Sequence, residues 1–412
     1  MSRPNKKKVG IITHYYKSQN YGGVLQAYAL CRFLQQCGFE AEQICFPLVP
    51  SALPWIKIPK QLDKRIIYYL KQGTLVKNIT AKLRAGLQAA LMRILLPTLK
   101  DDRTASFSNF TQNRIPHSTE VYSGQTIHQC IDHYDAFVTG SDQVWNLRWY
   151  DPAFFLTFVP SEKQKISYGA SMSMAELSEQ EQALMRTHLQ DFSAISVRER
   201  QTAQSLSKIT GKTVEWVLDP TMLLNTEHWN EVCADQMIQE PYLFCYFLNK
   251  DRAKRRLAKK YARRKNLKIV TIPHLNGKYV MNDVGFGDIR LEAPTPEEFI
   301  SLIRHASCIF TDSFHATVFS HMYHKEYYVF RRDHRKGMDM RISSLLELFG
   351  TQSRFCNTSE KMKLKYILGL EVLDHSKHFK EFHSLRESSA AFLIHNLNIA
   401  LGYVKQNETE SN

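Results

Sequence analysis

Short apolar runs alternate with segments of helical spacing twice along this chain, and that alternation restricts the fold more than any other feature of the sequence. A first run at residues 8–13 is followed by a loop at 14–20. Val24, Ala27, Tyr28, Cys31 and Leu34 then recur at helical spacing until Gly38, and a second run occupies 42–46. Strand, loop, helix and strand in this order predict a parallel, Rossmann-like sheet, continued by runs at 134–140, 165–169 and 194–198. After a run at 214–218, Asp219-Pro220 blocks helical continuation and marks the entry to a second half. There the rhythm restarts, with strands predicted at 242–248, 267–272, 308–311 and 327–330 and helices at 251–264, 296–305 and from Ser313 onward. The reading is α/β, with two Rossmann-like domains facing each other. The first spans 1–215 with a helical basic insertion at 51–115, the second spans 216–375, and 376–412 forms a C-terminal helix and tail. The pattern at 361–404 is helical and is expected to cross back over the first domain. A chain of 412 residues, 43% of them hydrophobic, exceeds what one core organises, which agrees with two domains.

The composition sets aside several classes. No apolar run approaches the roughly 18 residues of a membrane span, so a cytoplasmic protein is expected. The eight Cys are scattered without a C-x-x-C pair, the sixteen His are dispersed, and His321 and His324 beside His315 lack a carboxylate or Cys at ligand spacing, so neither a disulfide framework nor a metal site is expected. Lys and Arg total 54 against 40 Asp and Glu, a net charge of +14 that favours anionic partners. Residues 51–100 alone hold ten Lys and Arg and one acid. Apolar and cationic residues mix there at helical spacings, as on a helix lying on an anionic membrane, or on an insertion packed against the first domain. A nucleic-acid role is not expected, because the stretch lacks interleaved aromatics and matches no reader motif.

Ligands of open α/β sheets bind beyond the carboxyl ends of the strands, so the loops there hold the candidate site. Asp312 or Ser313 is placed to cap a helix whose first turn contains His315, where free N–H groups favour a bound anion and an imidazole can act as acid or base. Arg198 ends a buried strand and is suited to bidentate recognition of phosphate or carboxylate, or to an ion pair with Glu199 or a nearby carboxylate. Asn20, Gly22 and Gly23 open the first helix, where glycine lets backbone approach a ligand. No full G-x-G-x-x-G accompanies them, which weakens a dinucleotide reading. Ser141, Asp142 and Gln143 follow the middle strand. Asp142 is read as an exposed loop acid able to accept or deprotonate a sugar hydroxyl, or else as a turn former.

Taken in order, Asn20-Tyr-Gly-Gly-Val-Leu-Gln26, Thr139-Gly-Ser-Asp-Gln-Val-Trp145, Ser196-Val-Arg-Glu199, Leu218-Asp-Pro-Thr-Met-Leu-Leu224 and Thr311-Asp-Ser-Phe-His-Ala-Thr-Val-Phe-Ser320 resemble the polysaccharide pyruvyl transferase family. The resemblance implies a two-domain fold like that of GT-B glycosyltransferases, with the acceptor on the first domain and the donor on the second. It implies transfer of pyruvate from phosphoenolpyruvate, a co-substrate donor, onto two hydroxyls of a sugar or lipid-linked oligosaccharide, with no cofactor besides. His315 and Asp142 would then be catalytic, and Arg198, Ser313, Asn20, Gly22, Gly23, Ser141 and Gln143 would bind substrate. Some members carry an arginine and a leucine before the histidine where this chain has Ser313 and Phe314, so another cation is expected to complete the anion site. Arg304, Arg331 and Arg341 are the candidates. An anionic surface at the inner face of the plasma membrane is a further expected partner. The alternative on the same fold is a glycosyltransferase using a nucleotide sugar.

Overall fold

Two parallel sheets, each with its strands buried between helices, form the frame of the molecule. The computed structural model describes residues 7–51, 53, 99–173, 176–275, 278–279, 283, 285–332, 336–376 and 378–404. The first half runs β1 (Lys8–Ile12), α1 (Tyr21–Gln36), β2 (Glu40–Cys45), α2 (Leu99–Arg114), β3 (His117–Val121), β4 (Ala136–Thr139), β5 (Lys165–Ser167), α3 (Glu179–Leu189), β6 (Ile195–Val197), α4 (Arg200–Thr210) and β7 (Val214–Trp216). Its strand order is β3-β2-β1-β4-β5, and the β6-β7 pair joins β5 through the parallel bridges Ile166 to Ala194 and Ala170 to Val197. The chain thus moves outward from β1 through β2 to β3 and returns to the other side of β1, which leaves a crevice between the ends of β1 and β4.

The second half contains α5 (Thr226–Val232), β8 (Tyr242–Tyr246), α6 (Arg252–Lys265), β9 (Lys268–Thr271), the short hairpin β10 (His274–Leu275) and β11 (Lys278–Tyr279), and β12 (Ile289–Arg290). It continues with α7 (Pro296–Arg304), β13 (Cys308–Thr311), α8 (Phe314–Met322), β14 (Glu326–Phe330), α9 (Lys336–Leu348), β15 (Phe355–Cys356), α10 (Leu364–Leu368) and α11 (Phe379–Ala400). The strand order β12-β9-β8-β13-β14-β15 places the matching crevice between β8 and β13. These strands are continuous apolar runs because both faces are covered, as in Tyr242 to Tyr246, where every residue is buried.

Two expectations change. Residues 361–404 do not form one helix: α10 stops at Gly369, and an exposed turn, with Val372 86% exposed and the Asp374 carboxylate accepting from Ser376 N–H, precedes α11. Of the basic insertion, 54–98 lie outside the described residues, 99–114 are helix α2, and β3 adds an edge strand the sequence did not signal. α11 does cross back: Leu393, Leu397 and Leu401 pack with Val9, Ile11, Leu30 and Leu34 of β1 and α1. Among the described residues no helix is long and apolar enough to cross a membrane.

Candidate functional site

Both crevices open onto one cleft, lined by Asn20, Asp142 and Gln143 from the first half and by Asp312, Ser313, His315, Arg332 and Arg341 among others from the second. The loops that the strand order brings to the surface supply all of these except His315, in the first turn of α8, and Arg341, which projects from α9. Ser313 is the N-cap of α8, its hydroxyl accepting from Ala316 N–H, and so places His315 in the first helical turn. Asn20 caps α1 in the same way through Gly22 N–H. The starts of the two helices meet, and a Cβ on Gly22 would stand 1.9 Å from His315 Nδ1. Gly22 therefore makes room for the imidazole of the other half, while Gly23 lies against the carbonyl of His14, 2.8 Å from where its Cβ would be. The glycines serve close packing within the protein, where the sequence suggested close approach to a ligand.

The other face of His315 meets Asp219, with Nε2 3.4 Å from Oδ2, a charge contact without the alignment of a hydrogen bond. Asp219 is fully buried and also accepts from Ser141 Oγ at 3.0 Å, from Thr221, and from Arg198 at 2.5 Å. Burial would raise its carboxyl, but His315, Arg198 and Thr221 together hold it far below the ordinary value, so it is ionised. Asp142, expected to be exposed, is buried, with a left-handed φ of 70°, a conformation Asp tolerates better than most residues. Its Oδ1 lies 3.1 Å from Arg198. Burial pushes this carboxyl up, and Arg198, helped by His315 and His14, more than reverses the effect.

Arg198 is thus engaged by two carboxylates of its own chain, and its guanidinium carbon sits 4.6 Å from the centre of the Phe314 ring. It lies one layer behind the cleft, joined by Ser141. The sequence-based role as a direct ligand for the substrate anion is not what this geometry provides. Arg341 does line the cleft; burial and the neighbouring Arg198 lower its guanidinium to about 10. Arg331 pairs with Asp339 at 2.6 Å, and Arg304 is in the last turn of α7.

Asp219, His14 and Arg332 were given no site role from sequence, while Glu199 and Asp312 appeared there only as an ion-pair partner and a helix cap. Asp219 was read only as a break before Pro220, although a carboxylate at a strand end is itself a signal. His14, at the end of β1, has its Nε2 buried without a partner and its imidazole lowered to about 4 by burial, against the pull of Asp142. Glu199 is buried, accepts from the Ser171 hydroxyl and is raised by burial despite Arg198. Arg332 and Asp312 complete the cleft, Asp312 being held by Lys254 at 2.9 Å. Among the described residues no group of three or more His, Cys, Asp or Glu is arranged to hold a metal.

The family model described as polysaccharide pyruvyl transferase matches residues 20–334, more than half of the chain. None of the curated protein sequences matches it. Among solved structures, UDP-N-acetylglucosamine 2-epimerase from Rickettsia bellii is similar over 97% of this chain and 100% of that one, with a TM-score of 0.51 and 9% identity. The S. aureus MnaA co-structure with UDP is similar over 98% of both chains, with a TM-score of 0.50 and 10% identity. At such identity the likeness concerns the fold alone, which is GT-B-like: two Rossmann-like units around a cleft.

Proposed function

The chain belongs to the polysaccharide pyruvyl transferase family, and on that premise we propose that it moves pyruvate from phosphoenolpyruvate onto two hydroxyls of a sugar as a cyclic ketal, in a cell-surface polysaccharide or its lipid-linked precursor. One observation carries the proposal: His315 stands in the cleft between the two sheets, pressed on Gly22 and backed by ionised Asp219, beside the start of α8 and two arginines.

The reaction needs such a set. His315 gives a proton to the methylene carbon of the donor, which becomes a methyl group and leaves an oxocarbenium-like centre at C2. The oxygen of one sugar hydroxyl bonds to that centre and its proton returns to His315. The C–O bond to phosphate then breaks, the second hydroxyl oxygen closes the ring, and its proton leaves with the phosphate. Asp219 stabilises the imidazolium and fixes the ring, while Asp142 accepts a hydrogen bond from a sugar hydroxyl. The N-terminal N–H groups of α8, with Arg341 and Arg332, offer positive charge to the phosphate and carboxylate of the donor. Arg198 is a positioning residue that holds Asp219 and Asp142 in register.

Incubating the full chain with phosphoenolpyruvate and a panel of saccharides tests this. A pyruvyl ketal seen by mass analysis, with one phosphate released per ketal, is the expected result. Consumption of a nucleotide sugar, with no phosphate released from phosphoenolpyruvate, overturns it in favour of a glycosyltransferase on the same fold.

A further inference from the structure

Helix α6 carries nine Lys and Arg and no acid. Its cations divide by depth. Lys254 reaches inward to Asp312 at 2.9 Å and Arg255 to Asp283 at 2.5 Å, on the side where Leu257, Ala258, Tyr261 and Ala262 pack on the second sheet. Arg256, Lys259, Lys260, Arg263, Arg264 and Lys265 remain exposed. Lys259 donates to the carbonyl of Gly285, and the other five meet no carboxylate among the described residues. Part of this charge suits the helix itself, since Arg263, Arg264 and Lys265 in the last turn complement the macrodipole. Arg256, Lys259 and Lys260 lie further from that end, and like charges at i,i+3 and i,i+4 spacing repel there. An anionic surface outside the protein relieves that repulsion.

We propose that this face of α6 docks the protein on an anionic membrane surface. Two features favour a bilayer over a nucleic acid. The one aromatic residue of α6, Tyr261, is buried, so the face offers no stacking platform for bases. The helix also starts at the rim of the cleft, because Lys254 in its first turn holds Asp312, a cleft residue. From there α6 runs about 21 Å along the second domain, which puts its N-terminal end nearest the mouth of the cleft. A saccharide carried on a lipid would be presented at that mouth. Only this delivery rests on the proposed pyruvyl transfer; the docking does not.

Sedimentation of the full chain with vesicles tests the proposal. Binding to vesicles containing phosphatidylserine, absent with phosphatidylcholine alone and reversed by salt, is expected. The combined change Arg256→Gln, Lys260→Gln, Arg263→Gln, Arg264→Gln and Lys265→Gln keeps good helix formers and should weaken that binding roughly 100-fold or more. Phosphate release with a water-soluble acceptor should stay unchanged. Undiminished vesicle binding by the variant places the dock elsewhere and overturns the proposal. Absence of binding, insensitivity to salt or a preference for duplex DNA over vesicles overturns it equally. Vesicle binding is read without donor or acceptor, so its failure is distinct from failure of the pyruvyl-transfer reading.

Discussion

A methyl group on Gly22 would overlap His315 Nδ1, and the imidazole cannot retreat because Asp219 stands 3.4 Å from its other nitrogen. Gly22→Ala should therefore displace His315 and lower turnover about 100-fold, the scale of misplacing a reacting group by about 1 Å, while circular dichroism shows an intact fold. Wild-type turnover in this variant would mean that His315 acts from another position. Arg198 behaves differently. Removing it leaves Asp142 and Asp219 buried without their guanidinium partner, so Arg198→Ala should destabilise the protein by about 3–5 kcal/mol in denaturant unfolding, beyond any effect on activity. The same pair gives a pH dependence of known sign. Both carboxyls lie below their unfolded value of 3.8 in the fold, so the stability they add is complete above that pH and is lost as pH falls further. His321, stacked 3.7 Å from Phe349 and lowered to about 3 by burial, acts higher up. The unfolded chain takes up its proton near 6.5 and the fold refuses it until about 3, so stability already declines between these values. His321→Leu should make that upper limb of a stability-against-pH curve shallower, leaving the share of His14, which burial lowers to about 4, and the carboxylate limb below it. At this scale the sequence pointed to residues that the fold brings to one cleft better than to what they touch. His315 was legible as a residue of a helix's first turn and Asp142 as a loop acid, each with useful chemistry. That Asp219 and Asp142 converge on Arg198 from distant loops follows from strand order, which no local spacing reveals.

Among the elements, α1 and α8 owe their starts to their caps, whereas α11 owes its place to three leucines. Leu393, Leu397 and Leu401 recur every four residues and are at most 1% exposed, filling a seam beside β1 and α1 that the first half leaves open. Leu397→Ala should cost about 2–5 kcal/mol, measured by denaturant unfolding, although it lies far along the sequence from the sheet it covers. A cost near zero would show that α11 only rests on the first half. The period of this helix was readable, and so was its return across the chain as an expectation, but its start was not. The apolar residues at 361–370 suggest continuity with it, and the segment between Leu368 and Phe379, with its turn at Asp374–Ser376 closed by side-chain hydrogen bonds, separates α10 from α11. β15 escaped notice because it is only two residues long, and β3 for a different reason. Edge strands need not be apolar on both faces, and in β3 three of the five residues are exposed.

At the scale of the whole molecule, the two halves share one apolar cluster as well as a polar cleft. Tyr21, Val24, Leu25 and Tyr28 of α1 pack with Trp229, Phe299, Phe314 and Phe319 of the second half. Tyr21 stacks on Phe299 at 4.3 Å and donates to the carbonyl of Pro294, while the Tyr28 hydroxyl meets His228 at 2.8 Å. Facing domains are expected to rotate freely only where their interface is small and polar, and this one is apolar and runs along α1. The consequence is mechanical. His315 and Gly22 belong to opposite halves, so a rotation that opened the cleft widely would also take apart the contact that positions the imidazole. The rigid interface keeps that contact formed before substrate arrives. Two outcomes are expected. Thermal unfolding of the full chain should show one transition, coincident by near- and far-ultraviolet circular dichroism, in place of two. The radius of gyration in solution scattering should change little when phosphoenolpyruvate is added. Tyr21→Ala removes the stack and the hydrogen bond at once, and it should split the transition and lower turnover together, because the halves then separate at the place where Gly22 meets His315. Two transitions in the wild-type protein, or contraction of the molecule on adding the donor, would show instead that the halves close around their substrate.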